Sequence, residues 1–137
     1  MHFVIQYLQN GIQEGRYDLS LKIMLVDDAA IVRTTLKDLL TKNNFDIVGE
    51  AKDGQEAVMK FSNLKPDLVI MDITMPVMNG IEATREIKKI DPEAKILICS
   101  VLGQKRMILD AFMAGAEDFL VKPFKKESVL EKVSKYL

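Results

Sequence analysis

From residue 22 onward the chain alternates short apolar runs with amphipathic stretches. The runs at 22–27, 46–51, 68–72, 95–100 and 118–122 predict strands. Positions 23–26, 68–71 and 96–99 are apolar throughout, as expected of strands covered on both faces. Between them, apolar residues recur at helical spacing. Ile31, Val32, Leu36, Leu39 and Leu40 form one stripe, and Ala57, Val58, Phe61 and Leu64 a second. Ile81, Thr84, Ile87 and Ile90 form the third, Met107, Ile108, Ala111 and Phe112 the fourth, and Val129, Val133, Tyr136 and Leu137 the last. Asp53-Gly54, Lys65-Pro66, Asn79-Gly80 and Asp91-Pro92 punctuate the loops. Five strand–helix units in succession predict an α/β fold. Its core is a doubly wound, five-stranded parallel sheet with helices on both faces and right-handed crossovers.

Residues 1–21 stand outside this pattern and are read as an N-terminal extension, leaving 22–137 as the domain. Phe3, Val4, Ile5, Tyr7 and Leu8 form an apolar group, and Gly11 and Gly15 break the residues after it. A short packed helix, a helix for a partner and a mistaken start all fit that stretch. The 137 residues carry 19 basic and 20 acidic side chains, a balance that argues against nonspecific nucleic-acid or membrane binding. No apolar run approaches the ~18 residues that span a bilayer, and the pattern of a signal peptide is absent. Cys99 is the only cysteine; it excludes an internal disulfide and fits a reducing cytoplasm. It lies inside an apolar strand and reads as inert core. His2 is alone and is no metal ligand. The eight methionines read mainly as packing, with Met107 and Met113 suited to an adaptable surface.

The chemistry gathers where the apolar runs stop. KIMLVDD ends in Asp27 and Asp28, LVIMD in Asp72, KILICS in Ser100 and DFLVKP in Lys122. In an open parallel sheet these ends emerge on one edge, where ligands bind at the point of strand-order reversal. Three carboxylates in one crevice repel one another unless a cation joins them. Oxygen donors without His or Cys favour a hard ion, foremost Mg²⁺. Mg²⁺ beside a hydroxyl and an ammonium suits phosphoryl chemistry. Each residue also has an ordinary reading. Asp27 or Asp28 caps the helix beginning near Ala29, Ser100 caps the helix near 103–114, and Lys122 is a surface lysine. Taken together, the residues favour a carboxylate that attacks phosphorus, with Asp72 central.

The stretches LVDDAAIVR, MDITMPVMNG, ICSVLGQ and AGAEDFLVKPF resemble the receiver domain of bacterial response regulators over residues 22–137. MDITMP, CS followed by GQ, and DFLVKPF are most similar to stand-alone chemotaxis receivers of the CheY type. The resemblance implies a flavodoxin-like sheet of order 2-1-3-4-5. It implies that Asp72 is the phosphoacceptor, and that Asp28, Asp72 and the Thr74 backbone carbonyl ligate Mg²⁺, with Asp27 acting through water. It further implies that Ser100 is pulled toward the phosphoryl group, that Lys122 bridges to it, and that Phe119 is the aromatic switch. The implied partners are a histidine kinase as donor and a flagellar motor switch protein as target, with room for a phosphatase.

Some positions depart from the commonest pattern. Asn79 stands where an Asp is frequent, and Phe119 has no hydroxyl, so a switch there works by packing. Thr74 and Leu102, which flank the site, are uncharged. A haloacid-dehalogenase-type phosphatase would need a second carboxylate at Thr74. A flavodoxin would need a first loop free of Asp27 and Asp28, whose charges repel a flavin phosphate. A phosphorelay intermediate, a phosphate sink or the receiver part of a larger regulator keeps the same chemistry with another output.

Overall fold

A computed structural model describes residues 20–137. The expectations for the first nineteen residues lie outside that range. Strands β1 (Lys22–Val26), β2 (Asp46–Ala51), β3 (Leu68–Asp72), β4 (Ile96–Val101) and β5 (Asp118–Lys122) alternate with five helices. These are α1 (Ala30–Lys42), α2 (Gly54–Leu64), α3 (Gly80–Ile90), α4 (Lys105–Ala114) and α5 (Lys126–Ser134). All pairings are parallel and the strand order is β2-β1-β3-β4-β5. Strand order reverses at β1, so the ends of β1 and β3 share the central crevice.

Side chains of successive strand residues point to opposite faces, and each face builds its own core. Met24, Val26, Val69, Met71, Ile96 and Ile98 face α2, α3 and α4 through Ala57, Phe61, Ala83, Ile87 and Ala111. Ile23, Leu25, Leu68, Ile70, Leu97, Cys99 and Leu120 face α1 and α5 through Leu36, Leu40, Val129 and Val133. Burying each aliphatic side chain contributes roughly 1.5–3 kcal/mol, so the central strands hold the edge carrying the chemistry firmly in place.

The helical stripes are narrower than their sequence patterns. Ile31, Ile90 and Leu137 were expected on buried faces but are exposed at 73%, 49% and 48%. Ile31 lies in the first turn of α1, Ile90 ends α3, and Leu137 lies three residues beyond the end of α5. Phe112 is also partly exposed, its ring in a T-shaped contact with Phe119 and not in the core. Leu130 instead joins Val129 and Val133 in the buried face of α5.

The loop from Ile73 to Asn79 contains Val77 at φ 69°, three-quarters exposed. A β-branched residue is a genuine outlier there, and glycine is not. Val77→Gly is therefore expected to raise stability by about 0.5–1 kcal/mol, read from the midpoint of urea unfolding.

Candidate functional site

Asp27 follows β1 directly and is buried, while its neighbour Asp28 is exposed. Its Oδ1 accepts a hydrogen bond from the Ala29 N–H at 2.9 Å, closing a turn before α1. The expectation that Asp27 or Asp28 caps the helix fails: Asp27 closes the turn before it, but the residue preceding α1 is Ala29 and the helix has no side-chain cap. Arg33, one turn into α1, donates to the Asp27 carbonyl and, through Nε, to Glu50 Oε1 at 2.9 Å. This brace was not read from the sequence. Its signal was an arginine six positions past the aspartate, with an acid at the end of the neighbouring strand.

Asp72 is the last residue of β3, and its loop is pinned from two sides. The Gly80 N–H donates to the Ile73 carbonyl at 2.8 Å, and the Gly54 N–H to the Met78 carbonyl at 2.9 Å. Neither glycine has room for a side chain. A Cβ on Gly80 would lie 2.1 Å from the Asp72 carbonyl oxygen, and one on Gly54 would lie 2.4 Å from that of Met78. Asn79 caps α3 by accepting from the N–H groups of Ile81 and Glu82. Gly80→Ala is expected to cost about 2–3 kcal/mol, because the clash is with backbone that cannot rotate away. Thermal unfolding measures it.

The carboxylates of Asp27, Asp28 and Asp72 present oxygen atoms all within 4.8 Å of one another. Lys122, from the far end of β5, reaches into this group. Its ammonium donates to Asp27 Oδ2 at 2.6 Å and lies 3.3 Å from Asp72 Oδ1. It is no free surface lysine. The Lys122–Pro123 peptide is cis.

Charge states follow from this packing. Burial pushes the Asp72 carboxyl above its ordinary value; Lys122 pulls it down, but the charges of Asp27 and Asp28 add to the rise. Burial alone would lower Lys122, yet its bonds to Asp27 and Asp72 outweigh that and raise it. The lysine gains from the pairing, while the carboxylate stays under-compensated. Three oxygen donors with surplus negative charge are the donor set of a hard divalent cation. Burial also drives the Cys99 thiol far upward, keeping it neutral and inert as expected.

Ser100 does not cap α4. Its side chain is buried, and its hydroxyl has no hydrogen-bond partner among the described residues. The residue preceding α4 is Gln104, which offers the helix no side-chain cap. Gln104 instead spans two loops, with Oε1 accepting from Val101 N–H at 2.8 Å and Nε2 donating to Thr74 Oγ1 at 3.2 Å. Phe119 is half-buried on β5. Its ring meets Phe112 edge-on at 6.2 Å, and the Lys132 ammonium sits 4.5 Å above its centre. Lys132 also donates to the Phe119 carbonyl and pairs with Asp118 at 3.3 Å.

Residues 23–134 match the response regulator receiver domain family. This chain belongs to that family. The receiver is 54% identical to the chemotaxis protein CheY of Thermotoga maritima over 114 residues, covering 83% of this chain and 95% of that one. It is 53% identical to the CheY of Bacillus subtilis, covering 85% and 97%. Its fold is similar to a chain in the crystal structure of a CheX–CheY–BeF₃–Mg²⁺ complex from Borrelia burgdorferi. The TM-score is 0.80 at 35% identity, covering 84% of this chain and 87% of that one. Among the described residues, no helix of the receiver is long and apolar enough to cross a membrane.

Proposed function

We propose that this receiver accepts a phosphoryl group on Asp72 from a histidine kinase and signals through a protein-binding face in chemotaxis. The observation that carries this reading is the convergence of Asp27, Asp28 and Asp72 on one point with Lys122 bonded into it. In the proposed step an Asp72 oxygen attacks phosphorus. An O–P bond forms as the P–N bond to the donor histidine breaks, and the electron pair leaves with the ring nitrogen. Lys122 faces the oxygens on which charge gathers. Asp28, Asp72 and the Thr74 carbonyl would hold Mg²⁺, with Asp27 behind them, and the ion would supply charge neutralisation for the transferring group. The Ser100 hydroxyl, buried without a hydrogen-bond partner among the described residues, is placed to donate to a phosphoryl oxygen.

The output face proposed is that of α4, β5 and α5. Movement of Ser100 toward the phosphoryl group would open space for the Phe119 ring, and α4 would follow through Phe112. Such a shift changes partner affinity by about 5–150-fold, a range that suits reversible signalling. The relatives named CheY and the complex of such a protein with CheX favour a protein partner, with a flagellar motor switch protein as target and a phosphatase as a further one. A switch acting by binding needs no turnover of a substrate, so the receiver is read as a signalling protein and not an enzyme. The test is intact-mass measurement after incubation with acetyl phosphate. One base-labile phosphate that requires Mg²⁺ supports the reading, and none under any divalent condition rejects it.

A further inference from the structure

We propose that Gln104 is a positioning residue that latches the phosphoacceptor loop to the strand end carrying Ser100, and so holds the receiver in its resting arrangement. This inference rests on the reading of Asp72 as phosphoacceptor. Both ends of the Gln104 carboxamide are engaged. Oε1 accepts from the Val101 N–H at 2.8 Å, and Nε2 donates to Thr74 Oγ1 at 3.2 Å and approaches Met107 Sδ at 3.5 Å. Its orientation is fixed chemically, since only the oxygen end can accept from an amide N–H. Thr74 lies two residues after Asp72, and Val101 directly follows Ser100. One side chain thus ties together the two loops that bracket the site.

The latch and the hydroxyl oppose each other. Ser100 Oγ has no hydrogen-bond partner among the described residues, so it reaches neither Asp72 nor Lys122 here. Closing it on a phosphoryl group moves the Ser100–Val101 peptide, and with it the Val101 N–H. Gln104 must then either release that N–H or follow it and leave Thr74. Each route sacrifices a hydrogen bond of the resting state. Removing the latch should therefore favour the closed arrangement by what one such bond contributes, about 3–10-fold in affinity. Thr74 influences closure through its hydroxyl, by way of Gln104. Neither side chain was assigned this role from the sequence, because the link exists only once two loops meet.

The test uses the whole chain as wild type, Gln104→Met, Thr74→Val and the double variant. Methionine keeps the length of glutamine without its amide, and valine keeps the shape of threonine without its hydroxyl. Each protein is titrated with beryllofluoride in Mg²⁺ and followed by the Val101 amide resonance, and the two proteins that keep Gln104 also by its carboxamide resonances. Both single variants are expected to bind about 3–10-fold more tightly than wild type, and the double variant no more tightly than Gln104→Met. The Gln104 carboxamide signals should shift on saturation in the wild type and, without ligand, in Thr74→Val. Additive effects, unchanged or weakened binding, or carboxamide signals indifferent to both changes overturn the latch. If beryllofluoride fails to bind the wild type, the phosphoacceptor reading falls, and the latch with it.

Discussion

Asp72→Asn is expected to abolish phosphoryl uptake from acetyl phosphate, lowering the rate on the order of a thousandfold or more. The amide keeps the shape of the carboxyl and stays at the end of β3. It cannot serve as the attacking oxyanion. Intact-mass measurement at matched times checks this, and uptake at the wild-type rate would move the acceptor elsewhere. The same change should leave the protein more stable than wild type at neutral pH in the presence of a chelator. Burial and the charges of Asp27 and Asp28 raise the Asp72 carboxyl above its ordinary value of 3.8 despite Lys122. A group with a raised folded value binds its proton more tightly in the folded state. Its favourable contribution is therefore present in acid, fades as pH rises from the unfolded to the folded value, and is absent above it. Asparagine has no such transition. The gain of Asp72→Asn over wild type should accordingly grow with rising pH and then level off.

Lys122→Met should act in the opposite sense on stability. The side chains of Lys122, Asp27 and Asp72 are exposed by only 19%, 5% and 12%, so solvent does little to replace the lost ammonium. Removing one partner of a largely buried pair costs about 3–5 kcal/mol. For a domain of this size that corresponds to a fall of roughly 10 °C or more in Tm in metal-free buffer. Millimolar Mg²⁺ should recover more in Lys122→Met than in wild type, because the cation enters a site with more uncompensated charge. Thermal scans with chelator and with Mg²⁺ measure both quantities. If Mg²⁺ stabilised neither protein, the three aspartates would not form a divalent-cation site.

The sequence made the parallel sheet plain because β1, β3 and β4 are buried on both faces and admit almost no polar residue until they end. That abrupt ending also made Asp27, Asp72, Ser100 and Lys122 visible. Helix faces were harder to read. Ile31 and Phe112 obey the helical period yet point outward, since periodicity reports a face and not what lies opposite it. Side-chain links between distant loops were invisible. Gln104 meets Thr74 only after β3 and β4 lie side by side, and Lys132 meets Phe119 only after α5 folds back over β5. Ser100 shows a different limit. A serine before a helix reads as a cap, and only its burial without a partner among the described residues sets that aside.

The glycine-pinned floor of the site has a consequence for the fidelity of signalling. Asp72 ends β3, and the loop after it is tied back by the Gly80 and Gly54 amides, at contacts too close for any side chain. Such a floor offers every visitor the same carboxylate in the same place. It has no means of telling one donor from another. Discrimination between the correct source of phosphate and an unrelated one must then reside in the exposed rim, where Ile31, Val77 and Leu102 project. The rim is free to vary without disturbing the chemistry beneath it. New wiring between signalling pathways can therefore arise by changing a few surface residues, while the reactive centre stays as it is.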